Sequence, residues 1–551
     1  MKKFIRLSAV FALFMSLLFS VVTTVDAKGS KKPLANLLMV PLDDRPANLY
    51  FPQQVGKTAG VNILTPPKDL IGFYDNPGQG QEISEWVLAN AEQADGFVIS
   101  SSMLAYGGLI ASRTGVQTKE KALENIQVIK ELKEKYPDKP IYVYDMIQRL
   151  AVTAISEDYA KYYSQIREWA ILYDKVHNLG FEEDRPRLEE LEAIIPDDVL
   201  EDYLNARNRN HEINKRLIDW VDKDYIDYLI LAQDDAAPYG LHRSERERLL
   251  DKVETLQVDD RVSVFPGADE VDVVLVSRFV NAIFEESPKF YVEYGGVHGK
   301  DWIAPFEDTT FDKNVERHIV SAGAQITKKQ SEADIHLMLN TPSKEDSDRG
   351  QDIANMVERI KNLVDSRKQV AIGDVLLVNR ADENFVTQLA NNVDLTMLLS
   401  YSGWNTAGNA LGITVGHAAA RDAFLKQTSG FGVPVYKETA EANYEFLLHR
   451  FALDQGYKNV VMPGANQLIA DIGANQWNLG ENYEAVNQFV KEKLISETEK
   501  WYEYFDGKQV YIGSRGNKDF YSTIKDLEKV HVELPWPRTF ETELETELEL
   551  D

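Results

Sequence analysis

Apolar runs rich in Val, Ile, Leu and Tyr recur along the chain, and each ends in Gly, Pro, Asp or Asn. The runs are continuous rather than alternating, which is typical of strands buried on both faces of a parallel sheet. The segments predicted to contain strands are 37–46, 61–67, 96–108, 140–149, 228–240, 262–270, 290–296, 335–342, 370–380 and 395–409. Amphipathic stretches such as 123–136 and 314–323 lie between them and predict helices. The pattern therefore predicts an α/β protein.

The predicted strands form two sets with the same order of elements. In each set a strand is followed by a polar loop with Phe and Pro, a helix and a short strand, 61–64 or 324–327. This order predicts two doubly wound parallel-sheet units at about 34–285 and 286–430. A mostly helical region, 431–551, follows, and its last eleven residues, ETELETELELD, are expected to form a frayed, solvated tail. The alternative is one decorated β/α barrel, which the irregular strand spacing fits less well.

The first 27 residues have the composition of a secretory signal peptide. A basic start precedes an apolar run over 4–22, and small residues stand at Val25 and Ala27. This pattern predicts cleavage after Ala27 and a secreted protein that begins at Lys28. The alternative is a retained membrane anchor, which the short run and the cleavable ending disfavour.

Composition narrows the possible partners. The chain has no cysteine, so disulfides and thiolate metal sites are excluded. Removal of residues 1–27 would take away three basic residues and one acidic residue, which changes the formal net charge from −28 to −30. Such an acidic protein repels nucleic acid and anionic lipid, so we expect neither nucleic-acid partners nor membrane association after signal cleavage.

Polar side chains cluster where the predicted strands end. The carboxyl ends of parallel strands meet at one edge of a sheet, and ligands bind there. The polar residues at or just after these ends are Asp43, Asp44, Arg45, Ser102, Tyr106, Gln148, Arg149, Asp234, Asp235, His242, Asp269, Tyr401, Trp404 and Asn405. Single residues of these types are common in turns. Their repetition at so many strand ends favours one shared polar cleft that takes a small-molecule or glycan substrate.

The residue types in this cleft favour carbohydrate hydrolysis. Paired carboxylates can act as acid and base or nucleophile at a glycosidic bond, and Asp44, Asp234 and Asp235 are predicted to carry these roles. Arg45 is expected to keep a neighbouring carboxylate ionised by lowering its pKa. Substrate contacts are predicted for Asp43, Arg45, Ser102, Tyr106, Gln148, Arg149, His242, Asp269, Tyr401, Trp404 and Asn405. Among these, Tyr401 and Trp404 would stack on a sugar ring. The prediction is a secreted glycosidase.

Other functions remain as alternatives. The chain has no nucleophile elbow, zincin motif, phosphate-binding loop or dinucleotide fingerprint, so no cofactor is expected. No ligand spacing is diagnostic of a metal. In a divalent-metal hydrolase, Asp44, Asp235 and His242 would be promoted to ligands. A secreted glycan- or solute-binding protein would also use two lobes around a cleft, although adjacent carboxylates at several strand ends serve a neutral-sugar binder little.

Three motifs resemble a bacterial family of unknown function. They are PLDDRP at 41–46, the S-x-L-x-YGG run at 102–108 and GWNTAGN at 403–409. The resemblance covers nearly the whole chain after the predicted signal peptide. It implies that the three motifs belong to one shared site, and it provides no catalytic residues to transfer.

Overall fold

The computed structural model describes residues 33–115, 117–152 and 161–551. The predicted signal peptide, 1–27, lies outside the described residues. Across the described part of the chain, no helix is long and apolar enough to cross a membrane.

The first sheet is parallel and has the strand order β2-β1-β3-β4-β5-β6. Its strands are β1 (Ala35–Val40), β2 (Val61–Leu64), β3 (Gly96–Ser100), β4 (Ile141–Ile147), β5 (Tyr228–Gln233) and β6 (Val262–Pro266). Every residue of β3, β4 and β5 is buried. Alternate residues of β1 enter two different hydrophobic clusters, Leu37 and Met39 one, Leu38 and Val40 the other. The continuous apolar runs are therefore strands packed on both faces.

The second sheet repeats this order. Its strands are β7 (Lys289–Tyr294), β8 (Gln325–Ile326), β9 (Ile335–Leu339), β10 (Gln369–Gly373) and β11 (Ser400–Ser402). They are parallel and run β8-β7-β9-β10-β11, which matches β2-β1-β3-β4-β5 of the first sheet position by position. The predicted pair of parallel-sheet α/β units is confirmed. No sheet among the described residues closes into a barrel, so the barrel alternative is wrong.

Helices connect and cover these strands. Those of the first unit are α1 (Tyr50–Thr58), α2 (Gly80–Asn90), α3 (Ser101–Tyr106), α4 (Leu109–Ser112), α5 (Lys119–Asn125), α6 (Val128–Lys135), α7 (Tyr163–Tyr173), α8 (Arg185–Ile194), α9 (Asp197–Asp222), α10 (Leu241–Leu256) and α11 (Val271–Phe284). Those of the second unit are α12 (Phe311–Ser321), α13 (Arg349–Asp365), α14 (Glu383–Asn392) and α15 (Ala407–Gln427).

The C-terminal region combines helices with an antiparallel sheet. It contains α16 (Val433–Phe451), a π-helical run (Ala452–Val461), α17 (Met462–Asp471), α18 (Tyr483–Tyr502), β12 (Gln509–Arg515), β13 (Lys518–Glu533) and β14 (Glu543–Leu550). The prediction of a frayed tail is wrong. Its alternation of Leu or Thr with Glu is a strand pattern, and Leu544, Leu548 and Leu550 are buried where β14 packs on α16.

The three regions share one hydrophobic core. Helix α11 packs on both α1 and α15, so the first unit contacts the second along their helices. The largest cluster of buried side chains runs from β1 through β9 and β10 to β14. The proposed domain limits at 285/286 and 430/431 stay predictions.

Candidate functional site

A cavity of about 700 Å³ lies at the carboxyl ends of the first sheet. Its walls come from loops after β1, β5 and β6, from loops of the second unit and from the C-terminal region. The predicted site residues that line it are Arg45, Arg149, Asp234, Asp235, Asp269 and Asn405. This volume lies in the range of pockets that bind small molecules.

Arg45 joins the ends of β1 and β6, and Asp269 connects this pair to the second unit. Its Nε lies 3.0 Å from each Asp43 oxygen, and its Nη2 donates to Asp269 Oδ1 at 2.6 Å. Asn405 Nδ2 donates to the other Asp269 oxygen at 3.0 Å. Burial raises the pKa of Asp269 to about 6, although the Arg45 guanidinium opposes the rise. The PLDDRP and GWNTAGN motifs therefore meet in one buried network.

Asp235 is the most accessible of the wall carboxylates. Its side chain is 37% exposed, whereas those of Asp234 and Asp269 are 8% and 7% exposed. Surrounding protein raises the pKa of Asp235, the neighbouring Asp234 charge raises it further, and Arg149 opposes both. Arg149 Nη1 lies 3.3 Å from Asp235 Oδ2. Asp235 thus presents to the cavity a carboxyl group that binds a proton more readily than an ordinary aspartate.

Asp234 is held by an arginine that no sequence pattern singles out. Arg113 follows α4 and pairs with Asp234 Oδ2 through both Nε, at 3.0 Å, and Nη2. Burial lowers the pKa of Arg113, and the nearby charge of Arg149 lowers it further. No local motif marks Arg113, because its role depends on the loop after α4 reaching the end of β5.

Asp44 lies in a smaller pocket next to the cavity. Tyr74 and Trp536 line both spaces, and Trp536 Nε1 donates to Asp44 Oδ1 at 2.9 Å. Burial raises the pKa of Asp44 to about 7, the Asp43 charge adds to the rise, and the Trp536 hydrogen bond opposes it. Arg45 also lowers the pKa of Asp44, as expected, but burial and the Asp43 charge outweigh this effect, and the guanidinium itself pairs with Asp43 and Asp269.

The glycines of the S-x-L-x-YGG motif also line this smaller pocket. Gly107 ends α3 with φ +92°, a conformation that side chains disfavour. A Cβ there would lie 2.6 Å from the carbonyl oxygen of Gly78. The motif therefore allows two chain segments to approach closely beside Asp44, and all three motifs contribute to this region.

Unusual backbone conformations concentrate around the cavity. Five residues other than glycine that line it have positive φ: Tyr74 (53°), Asp235 (42°), Phe306 (66°), Asn379 (65°) and Asn405 (65°). Asn and Asp tolerate this region, but bulky side chains seldom adopt it. Phe306 is held there partly by its carbonyl, which accepts a hydrogen bond from Ala236 N at 2.9 Å. Such strain clusters at functional sites, which supports this cavity as the site.

The C-terminal region supplies an aromatic wall that the sequence analysis missed. The rings of Tyr74 and Trp536 lie 5.1 Å apart, and those of Trp477 and Phe540 lie 6.2 Å apart. The guanidinium of Arg538 lies 4.6 Å from the Trp536 ring. One signal for this wall was present, since prolines flank Trp536 on both sides and restrict the chain there.

Several predicted substrate contacts have structural partners instead. Ser102 Oγ donates to Asp145 at 2.6 Å, and Gln148 Oε1 accepts from Asn210 at 2.9 Å. The Tyr106 ring is buried, with an arginine guanidinium 4.2 Å from its centroid. None of the three lines the cavity. Their prediction as substrate contacts needs correction, because their side chains join elements of the first unit.

The prediction of substrate contacts also needs correction for His242, Tyr401 and Trp404. His242 Nε2 lies 2.8 Å from the Ala237 carbonyl, and burial lowers the pKa of this histidine to about 3. Tyr401 stacks on Phe451 with ring centroids 4.2 Å apart, and Trp404 is 2% exposed. The stacking prediction is wrong for these two rings, because protein covers the faces that a sugar would need.

The alternative metal ligands do not converge. Within the described ranges, no group of three or more His, Cys, Asp or Glu side chains is placed to hold a metal ion. His242 is directed to the backbone of Ala237 and lies outside the cavity lining. The expectation that the protein uses no metal stays a prediction.

A family model described as "Protein of unknown function (DUF4127)" matches residues 37–545. The chain belongs to this family. Among solved structures, GanP, a glucose-galactose binding protein from Geobacillus stearothermophilus, has a TM-score of 0.16 and 10% identity, covering 73% of this chain and 94% of its own. The first ketoreductase of the tylosin PKS has a TM-score of 0.15 and 11% identity, covering 72% and 77%. Scores this low carry no argument. A comparison with curated proteins found no match.

Proposed function

We propose that the DUF4127 chain is a secreted protein that binds carbohydrate in the cavity and hydrolyses a glycosidic bond there. Asp235 is the general acid in this proposal. The observation that carries it is the environment of Asp235, a carboxyl group with a raised pKa that keeps 37% of its side chain open to the cavity. A general acid must be protonated near neutral pH and must reach the leaving-group oxygen.

Asp234 is the second carboxylate of the proposed mechanism. It follows β5, lines the same cavity and is ion-paired to Arg113 through Oδ2. Asp234 would act as base or nucleophile, while Arg113 and Arg149 fix the two carboxyl groups. Asp44 lies in the adjoining pocket and accepts a hydrogen bond from Trp536. In this proposal it positions the Trp536 ring and does not contact the sugar.

The remaining wall suits a polyhydroxylated ligand. Guanidinium, carboxylate and amide groups of Arg45, Asp269 and Asn405 offer planar hydrogen-bonding groups to hydroxyls. The aromatic rings of Tyr74 and Trp477 also line the cavity, and such rings can cover the apolar face of a sugar ring.

The test compares Asp235→Asn and Asp234→Asn with the parent on a panel of aryl glycosides and oligosaccharides. We expect each variant to lose about 10²–10⁴-fold in turnover, because the amide keeps the shape but cannot transfer a proton or attack as a carboxylate. The parent's kcat/KM should fall as pH rises through the raised pKa of Asp235, since the acid is then deprotonated.

Asp224→Asn is the matched control. Asp224 also has positive φ, 59°, and pairs with an arginine at 2.7 Å, but its side chain is 82% exposed on the surface. This variant should keep full turnover. Equal activity of Asp235→Asn and the parent on a cleaved substrate would refute the catalytic assignment.

Glycan binding without cleavage is the second candidate function. It is favoured by the ion pairs of the wall, since Arg45 pairs with Asp269 and Arg113 pairs with Asp234, which leaves these charges largely neutralised. Tight binding of a glycan that the parent leaves intact during prolonged incubation would select this function.

A further inference from the structure

Two large aromatic rings line the cavity and yet are exposed. Trp477 is 50% exposed and Phe306 is 44% exposed. A ring of this size offers a large apolar surface, and Trp is among the residues that most often dominate binding energy. Exposed apolar rings inside a polar cavity are therefore candidates for ligand contact.

Phe306 lies beside the carboxylates. The Ala236 N–H next to Asp235 donates to the Phe306 carbonyl at 2.9 Å, which ties the second unit's loop to the end of β5. The backbone of Phe306 is strained, with φ 66°. Phe306 can therefore cover a sugar ring at the point where the glycosidic bond meets Asp235.

Trp477 lies on a different wall, in the loop between α17 and α18. The Tyr74 hydroxyl donates to its carbonyl at 3.2 Å, and Leu479 N donates to Pro537 O at 2.7 Å. Its ring packs at one side on Phe540, which leaves the rest of the ring open. The loop is thus anchored to both the first unit and the segment after β13, and it holds the exposed ring in place.

We infer that the cavity takes an oligosaccharide, with one sugar ring against Phe306 beside Asp235 and another against Trp477. This inference rests on the proposed carbohydrate function and adds the substrate class. The two rings come from different regions of the chain, the second unit and the C-terminal region, and a volume of about 700 Å³ accommodates more than a single hexose.

The test measures binding by calorimetry for glucose, xylose, galactose and N-acetylglucosamine and for their di-, tri- and tetrasaccharides. We expect the parent to bind a trisaccharide of the preferred sugar more tightly than the monosaccharide. Trp477→Ala should weaken trisaccharide binding about tenfold and leave monosaccharide binding unchanged, because only the remote ring is lost. Phe306→Ala should weaken both.

Two further variants make the result specific. Trp477→Phe keeps an aromatic ring and should restore most of the trisaccharide affinity. Tyr521→Ala removes an aromatic ring that is 45% exposed on β13, outside the cavity, and should change nothing. A thermal melt of each variant checks that it is folded.

The outcomes separate this inference from the proposed function. Affinity that is independent of chain length, or an equal loss on mono- and trisaccharide in Trp477→Ala, overturns the inference and leaves carbohydrate binding intact. Length-dependent binding that needs Trp477, without cleavage, supports the inference and removes the hydrolase assignment. If the parent neither binds nor cleaves any member of the panel, both are wrong.

Discussion

Asp44 shows how one side chain couples the first unit to the C-terminal region. Trp536 is far from Asp44 in the sequence, yet its Nε1 donates a hydrogen bond to the Asp44 carboxyl group. Burial raises the pKa of Asp44 to about 7. Its neighbour Arg45 is engaged by Asp43 and Asp269. Adjacent residues of one short motif therefore have different roles. Arg45 connects the carboxylates of Asp43 and Asp269, whereas Asp44 is desolvated and accepts a hydrogen bond from the Trp536 indole.

The raised pKa of Asp44 predicts a pH-dependent cost to stability. Below about pH 4 the carboxyl is neutral in both states; between its ordinary value of 3.8 and about 7 only the unfolded chain ionises, so stability falls as pH rises. Asp44→Asn stays neutral and keeps the acceptor for Trp536. We expect its free energy of unfolding relative to the parent to rise by roughly 2–3 kcal/mol between pH 5 and 8 in urea titrations.

Asp75→Asn is the control for this measurement. Asp75 also lines the smaller pocket, but its side chain is exposed, so Asp75→Asn removes a carboxylate there without removing a buried one. An equal pH dependence of the unfolding free energy in the two variants would mean that Asp44 is not desolvated in the fold.

At the scale of elements, the sequence predicted strands and their order better than the directions of side chains. The continuous apolar runs identified the strands of both sheets, and the repeated order of elements appears in the matching strand orders. Polar strand ends identified Arg45, Asp235 and Asn405, because sheet geometry brings such ends together. Sequence alone does not predict that Tyr401 and Trp404 are covered, because this depends on α16 and α1 packing over their loop.

Strand β14 was missed although its pattern was present. Its alternation of Leu or Thr with Glu is the period of a half-buried strand, but its acidic composition at a chain end equally favours a solvated tail. Sequence alone does not predict the aromatic wall either, because the segment between β13 and β14 that carries Trp536 and Phe540 follows from the pairing of these two strands.

The burial of β14 predicts unequal costs for its two faces. Leu544 is fully buried, so Leu544→Ala should lower the free energy of unfolding by about 2–5 kcal/mol through lost apolar burial and a cavity. Glu549 lies on the exposed face, and Glu549→Ala should change stability by less than about 0.5 kcal/mol. Urea denaturation of both variants measures the two changes in unfolding free energy. Equal, small changes would favour the frayed-tail interpretation again.

The whole molecule consists of three regions arranged around one cavity and one shared core. At the strand ends, the Asn405 amide of the second unit donates to Asp269 of the first unit, while Trp536 and Trp477 add walls from the C-terminal region. Below the cavity, α11 and α15 pack closely because Gly416 of α15 faces Val273 of α11. The site therefore depends on a joint arrangement that no single region defines.

This shared packing predicts that the regions unfold together. A Cβ at Gly416 would lie 2.7 Å from Val273 Cγ1 and 3.0 Å from its carbonyl oxygen, so Gly416→Val should separate the two helices and cost about 1–3 kcal/mol. Gly430→Val is the matched control, because nothing lies within 4 Å of a Cβ at Gly430.

Urea unfolding is followed by single-tryptophan reporters at Trp86 in the first unit and Trp302 in the second. Both reporters should give one coincident transition that Gly416→Val moves to lower urea, since the helices that it separates belong to both units. The alternative result is two separate transitions, with Gly416→Val shifting only the transition reported by Trp302. That result would show that the units fold independently and meet only at the cavity.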